Sequence, residues 1–161
     1  SPRQQADVCA GGYWIVPPAP GAELAIAFTG AIAPEAAAAH AEILEDVPGA
    51  GLFAVTSPDR LHTDWLAAAR RRAVGETDAR AHVENMMADM SDGAALVTVL
   101  DGHPATLSWL GAVRPFRLAA LGVEKFGQSS DIQDAYRLHG IDAEAILDAA
   151  ASACLARLGS R

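Results

Sequence analysis

A chain of 161 residues is long enough to bury roughly two-thirds of its unfolded surface in one domain. Hydrophobic residues make up 51% and charged residues 20%, which excludes a disordered chain, and abundant Ala favours helices. A formal charge of −8 argues against a nucleic-acid or anionic-membrane partner.

Residues 1–12 are polar and end in Gly11-Gly12; they read as a linker into a domain over 13–161. Tyr13-Trp14-Ile15-Val16 predicts a short strand, stopped by Pro17-Pro18-Ala19-Pro20-Gly21. Those prolines cannot serve a central ladder, so an edge position follows, and Tyr13 and Trp14 are first candidates for a face that further domains cover. Residues 23–29 form an almost continuous apolar run, the pattern of a strand covered on both faces. Thr29-Gly30 closes it, and Pro34 opens an Ala-rich helix continuing over 35–45. Pro48-Gly49 breaks the chain before a second buried strand over 51–57. Ser57 and Pro58 suit the cap and first position of a helix whose apolar stripe is Leu61, Trp65 and Leu66. Arg70-Arg71-Arg72 ends it with cations that favour the helix dipole and face solvent.

A helix over 82–90 turns Val83, Met86 and Met87 inward. Further strands are predicted over 94–100 and 116–121, with a short helix over 104–112 between them. Two helices finish the chain, from about 130 to 138 and from 142 to 158, separated by His139-Gly140 as stop and Asp142 as start. The alternation gives an α/β domain: a three-layer, mostly parallel sheet with helices on both faces. Cys9 and Cys154 lack metal-ligand spacing and read as free thiols. No apolar run approaches the ~20 residues of a membrane span, and no signal peptide is visible, so a cytoplasmic location is expected.

Two segments carry a family likeness: Gly122-Val123-Glu124-Lys125-Phe126-Gly127-Gln128-Ser129-Ser130-Asp131 and Tyr136-Arg137-Leu138-His139-Gly140-Ile141-Asp142-Ala143. In this order they resemble the last strand and last two helices of the C-terminal domain of transketolase-like, thiamine-diphosphate enzymes. Gly122…Phe126-Gly127-Gln128-Ser129 is similar to the Gly-x-x-x-Phe-Gly-x-Ser pattern of the homodimeric E1 component of pyruvate-type 2-oxoacid dehydrogenases. Ala54-Val55-Thr56-Ser57 and His82-Val83-Glu84 with Asp89 also resemble that family. Departures are Val123-Glu124-Lys125, where many E1 chains have Thr-Asp-Gly, and Asp101-Gly102-His103-Pro104, where an aromatic often follows the Asp.

The resemblance implies an oxidoreductase that decarboxylates a 2-oxo acid and acylates the lipoyl group of an E2 partner. This domain would be its scaffold, supporting preceding domains of the same chain and the second subunit of a homodimer. It also implies that thiamine diphosphate and Mg²⁺ belong to the complete enzyme. Their Gly-Asp-Gly…Asn segment is missing here: Leu100-Asp101-Gly102 is the nearest approach, without a following ligand. The activating Glu belongs to another domain. The isolated chain is thus expected to be inactive, with no catalytic, cofactor or metal residue of its own. A transketolase-type ketol transferase is the alternative within the family; outside it stands a free-standing α/β anion-binding or interaction module.

Two places carry candidate site residues. Phe126-Gly127-Gln128-Ser129-Ser130-Asp131 offers Gly127, Ser129 and Ser130 as an anion cradle, since glycine admits close backbone approach and a helix start attracts negative charge. Ser and Asp are also ordinary caps, and a Ser129 or Ser130 hydroxyl is the expected cap there. Asp101 and His103 stand at the carboxyl end of a predicted parallel strand, where α/β folds bind ligands, as a possible acid–base pair. A plain strand-to-helix turn, with Asp101 bonding local backbone and Pro104 opening the helix, explains the same residues. His40, His62, His82 and His139 lack ligand pairing, and Trp14, Trp65 and Trp109 suit core or interface positions.

Overall fold

The computed structural model describes residues 1–124 and 131–158. Helix α1 (Pro2–Ala10) leads into strand β1 (Gly12–Val16) and β2 (Ala22–Thr29). A 3-10 turn (Gly30–Ile32) leads to α2 (Ala33–Asp46), β3 (Gly51–Val55), α3 (Pro58–Ala73) and α4 (His82–Met86). Then come β4 (Met90–Leu100), α5 (Ala105–Ser108) with a 3-10 extension (Trp109–Ala112), β5 (Arg117–Leu121), α6 (Ile132–Leu138) and α7 (Ala143–Leu158).

The described residues form one five-stranded sheet, ordered β1-β3-β2-β4-β5. Pairings β2–β3, β2–β4 and β4–β5 are parallel; β1 lies antiparallel to β3 at the edge, as Pro17-Pro18 required. Alternation along the strands separates two cores. Ala25, Ala27, Phe53, Val55 and Leu96 meet Leu61 and Ala68 of α3, Val83 of α4 and Leu107 of α5. Leu24, Ile26, Phe28, Leu52, Val97 and Val99 meet Ala36, Ala39 and Ile43 of α2 and Ile146 and Ala150 of α7. Burial on both faces is why β2 and β3 read as continuous apolar runs.

Thr98 is the exception within β4. It is fully buried, flanked in the sheet by Ala27 and Ala120, and among the described residues its hydroxyl, like that of Ser91, has no hydrogen-bond partner. An unsatisfied buried hydroxyl costs about 1–3 kcal/mol. Thr98→Val keeps the shape and removes that cost, so denaturant unfolding should show a gain of about 1 kcal/mol; a loss of stability would mean the hydroxyl is satisfied in solution.

Several local expectations are corrected. The segment read as a linker is helical over Pro2–Ala10: Ser1 accepts from the Gln4 N–H at 3.3 Å, Pro2 occupies the first turn, and Gly11 closes the helix at φ 114°. None of its side chains is buried, so no apolar stripe announced it. It is tied down from outside, by the Thr56 hydroxyl donating to the Val8 carbonyl (2.7 Å) and Arg60 donating to that of Cys9 (2.7 Å). Ser57 holds the cap position of α3, but its hydroxyl makes no cap bond; its carbonyl accepts from Leu61 instead (3.1 Å).

The helix expected over 82–90 is only the five-residue α4, and Met90 already pairs in β4. Side chains from α3 hold it. Arg72 donates twice to Glu84 (3.0 and 2.9 Å) and once to the Ala79 carbonyl (2.8 Å), Glu84 accepts from the Ala81 N–H (2.8 Å), and Asp64 accepts from that of His82 (2.7 Å). The triple arginine is therefore not simply a solvated helix end: Arg72 clamps α3 to α4, and Arg71 pairs with Glu76 at 2.7 Å.

Trp14 and Tyr13 are half-buried rather than an open patch. The Trp14 indole N–H donates to the Met86 carbonyl (2.8 Å), and its ring meets Phe53 edge-on at 4.9 Å. Exposed apolar side chains lie elsewhere, at Ile15, Val74, Ile132, Leu138 and Leu155 among others.

Candidate functional site

Parallel strands bring their carboxyl ends to one edge of the sheet, and helix starts gather there. Here β2 ends at Thr29, β4 at Leu100 and β5 at Leu121. Asp101 and His103 follow β4 and are both exposed. His103 Nδ1 accepts from the Ala105 N–H at 3.2 Å, so the imidazole caps the start of α5. Asp101 was expected to bond the local backbone; among the described residues it makes no such bond, and His103 takes that part. Pro104 is buried and opens the helix, as the turn reading required.

The turn is locked against the exit of β5. The Val123 N–H donates to the Gly102 carbonyl at 2.7 Å. A Cβ on Gly122 would lie 2.5 Å from the Gly102 oxygen and 2.8 Å from Pro104 N and Cδ. Glycine stands there for space: Gly122 has no positive φ. Beside it opens a cleft of about 300 Å³, lined by Pro104, Leu121, Gly122, Glu124, Leu138 and His139 among others.

Two residues without an assigned role converge on this edge. The Tyr136 hydroxyl has its pKa raised above the ordinary 10.0, first by burial and then by the negative charges of Asp101 and Glu35. Glu35, in the first turn of α2, accepts from the Ala143 N–H at 2.8 Å and so caps α7 alongside Asp142, which accepts from Ala145 at 3.0 Å. The charges of residues 35 and 101 thus bear on Tyr136 only because the start of α2, the exit of β4 and α6 share the carboxyl edge. The sequence signals were modest: an acid after Pro34 and a Tyr three residues before His139-Gly140. A raised tyrosine pKa means the folded state holds the proton more tightly. Its stabilising contribution is complete below pH 10.0 and declines as pH rises through the higher folded value. Tyr136→Phe should therefore lose less stability between pH 9 and pH 11 than the parent; identical slopes would refute the assignment.

Gly127, Ser129 and Ser130 lie outside the described residues. The expected Ser129 or Ser130 cap lies there too; among the described residues, Asp131 holds the cap position of α6 and its carboxylate accepts from the Ile132 N–H at 2.7 Å. Asp131→Ala should cost about 1 kcal/mol in thermal unfolding; no change would leave the cap without weight.

The remaining polar side chains serve the fold. His40 Nε2 donates to the Ala50 carbonyl (2.9 Å) and His82 Nε2 to that of Gly12 (2.8 Å), while the His62 ring stacks on Trp65 at 5.9 Å and lies tilted against Trp109 at 4.7 Å. Hydroxyls of Thr29, Thr56 and Ser108 donate to backbone carbonyls. Among the described residues no three His, Cys, Asp or Glu side chains are grouped to hold a metal ion. They do not fit a Mg²⁺–diphosphate site, which needs converging oxygen ligands. No described helix is long and apolar enough to cross a membrane. The edge is thus a set of capped turns around Asp101, Glu124 and Tyr136.

No family model and no curated protein matches the chain. Solved structures do. A transketolase from Leishmania mexicana is 18% identical with a TM-score of 0.62, over 91% of this chain and 18% of that one. A transketolase from Pichia stipitis in complex with sedoheptulose 7-phosphate is 17% identical with a TM-score of 0.62, over 96% and 19%. A split-gene transketolase, described as an inactive beta4 tetramer, is 17% identical with a TM-score of 0.60, over 88% and 41%. The chain spans less than half the length of each of these enzymes. The structural match over 88–96% of the chain gives it the α/β fold of a transketolase C-terminal domain.

Proposed function

We propose that the chain is the C-terminal domain of a thiamine-diphosphate-dependent E1-type 2-oxoacid dehydrogenase, acting as a scaffold. The complete enzyme decarboxylates a 2-oxo acid and acylates the lipoyl group of an E2; this domain supports the preceding domains and the contact of a homodimer. The observation that carries the reading is the carboxyl edge, where His103 and Glu35 bond the backbone at helix starts, on a fold that solved transketolases carry as one part of a longer chain. Gly122…Phe126-Gly127-Gln128-Ser129 and Val55-Thr56-Ser57 support E1 within the group. Transketolase is the second reading, favoured by the solved neighbours, and the split-gene protein is a precedent for such a domain on a chain shorter than the whole enzyme.

Two measurements test this. Calorimetric titration of the chain with thiamine diphosphate and Mg²⁺ should give no heat above dilution; a micromolar site would overturn the scaffold assignment. The complete enzyme should decarboxylate pyruvate-type acids with a lipoyl acceptor. Ketol transfer between sugar phosphates without that activity would replace E1 by transketolase.

A further inference from the structure

At the opposite, amino end of the sheet lies a groove that the scaffold reading does not use. Glu35 capping α7 sets α2 and α7 side by side at their starts. Towards their ends they part around a cavity of about 460 Å³. Leu24, Ile43, Val47 and Leu147 make its apolar lining, and Glu42, Glu45, Asp46 and Asp148 its rim. All four acids are exposed, and among the described residues none has an ion-pair partner. The last turn of α2 carries no basic residue. Its carbonyl end adds the negative end of the helix dipole to the carboxylates.

An apolar floor under a rim of one sign selects an occupant with both characters. We infer that this groove docks a basic amphipathic helix of a partner polypeptide, with leucine-type side chains on the floor and Lys or Arg against the rim. Such helix-in-groove recognition places apolar anchors one turn apart, and the charges set partner choice and encounter rate. A second copy of this chain, with a formal charge of −8, is the wrong sign to fill it. The inference does not depend on the reaction of the complete enzyme.

The test uses the full chain and a synthetic Leu/Lys amphipathic helix of about 18 residues, titrated by fluorescence anisotropy. Controls are the same pattern in Leu/Glu and a Lys/Ser peptide without an apolar face. The Leu/Lys peptide should bind at least about tenfold more tightly than either control, and weaken as salt is raised. Glu42→Gln with Asp148→Asn should weaken it about tenfold, whereas Asp59→Asn with Asp78→Asn, the same charge change elsewhere, should leave it within about twofold. All four positions are exposed, so the fold is retained. Equal losses in the two double variants, equal binding of the Lys/Ser peptide, or no binding would overturn the inference. Displacement of the peptide by spermidine at lower concentration than the peptide itself would also do so, assigning the groove to a small polyamine.

Discussion

Replacing Phe53 by Ala should cost about 3–5 kcal/mol, the range for emptying a fully buried aromatic site. Phe53 is 0% exposed and sits in β3 between the edge strand and the sheet centre. Its ring is also the edge-to-face partner of Trp14, whose indole reaches across to the Met86 carbonyl. Losing it undermines β1 and α4 together, because both depend on Trp14 staying in place. Against a typical total stability of about 5–15 kcal/mol, this leaves the chain near unfolding. Phe53→Leu keeps most of the volume and should cost much less, about 1–2 kcal/mol. Guanidinium unfolding followed by tryptophan emission measures both. A loss below about 1.5 kcal/mol for the Ala variant would mean that the layer of α3, α4 and α5 closes over the site.

Gly122→Ala is the second large effect, expected at about 2–4 kcal/mol from overpacking and the loss of one hydrogen bond. The added methyl would meet backbone, the Gly102 oxygen and the Pro104 ring nitrogen, so no side chain can swing aside. Relief requires parting the β4–α5 turn from the β5 exit and stretching the 2.7 Å bond from Val123 to Gly102. The turn carrying Asp101 and His103 would move with it. A variant that unfolds like the parent would show that these two segments are not held together in solution.

The fold was legible where chemistry is local. Apolar runs within 23–29, 51–57 and 94–100 marked strands covered on both sides, although the second strand ends at Val55, and Pro17-Pro18 placed the first strand at an edge. Asp142 was readable as a helix start because its carboxylate caps three residues on. The helix over Pro2–Ala10 was hidden because none of its residues is buried, although Ser1-Pro2 and Gly11 were a legitimate start and stop. The early start of β4 was hidden too: Ser91-Asp92-Gly93 reads as a turn, with Gly93 at φ 74°, yet Met90 pairs with Ala22 beyond an irregularity in register.

The candidate site was half legible. Asp101 and His103 stand at a strand end as expected, but the influence of Asp101 and Glu35 on Tyr136 is a product of topology. No spacing encodes it, since it depends on which helix starts share one edge. The division of labour in the turn, with His103 bonding backbone and Asp101 left to solvent, depends on atomic geometry that residue type alone does not set.

The unequal edges of the sheet imply a gradient of amide hydrogen exchange. β2 has neighbours on both sides, β3 among them, while β5 has only β4 and none of its residues is buried. Amides exchange by local opening where few buried contacts must break, and by global unfolding where many must. β2 and the middle of β4 should therefore exchange last and report the stability of the whole domain. β5, α6 and α1, with no buried residue in any of them, should exchange first. Asp101, His103 and Tyr136 then belong to the part of the domain that opens while the remaining strands stay closed.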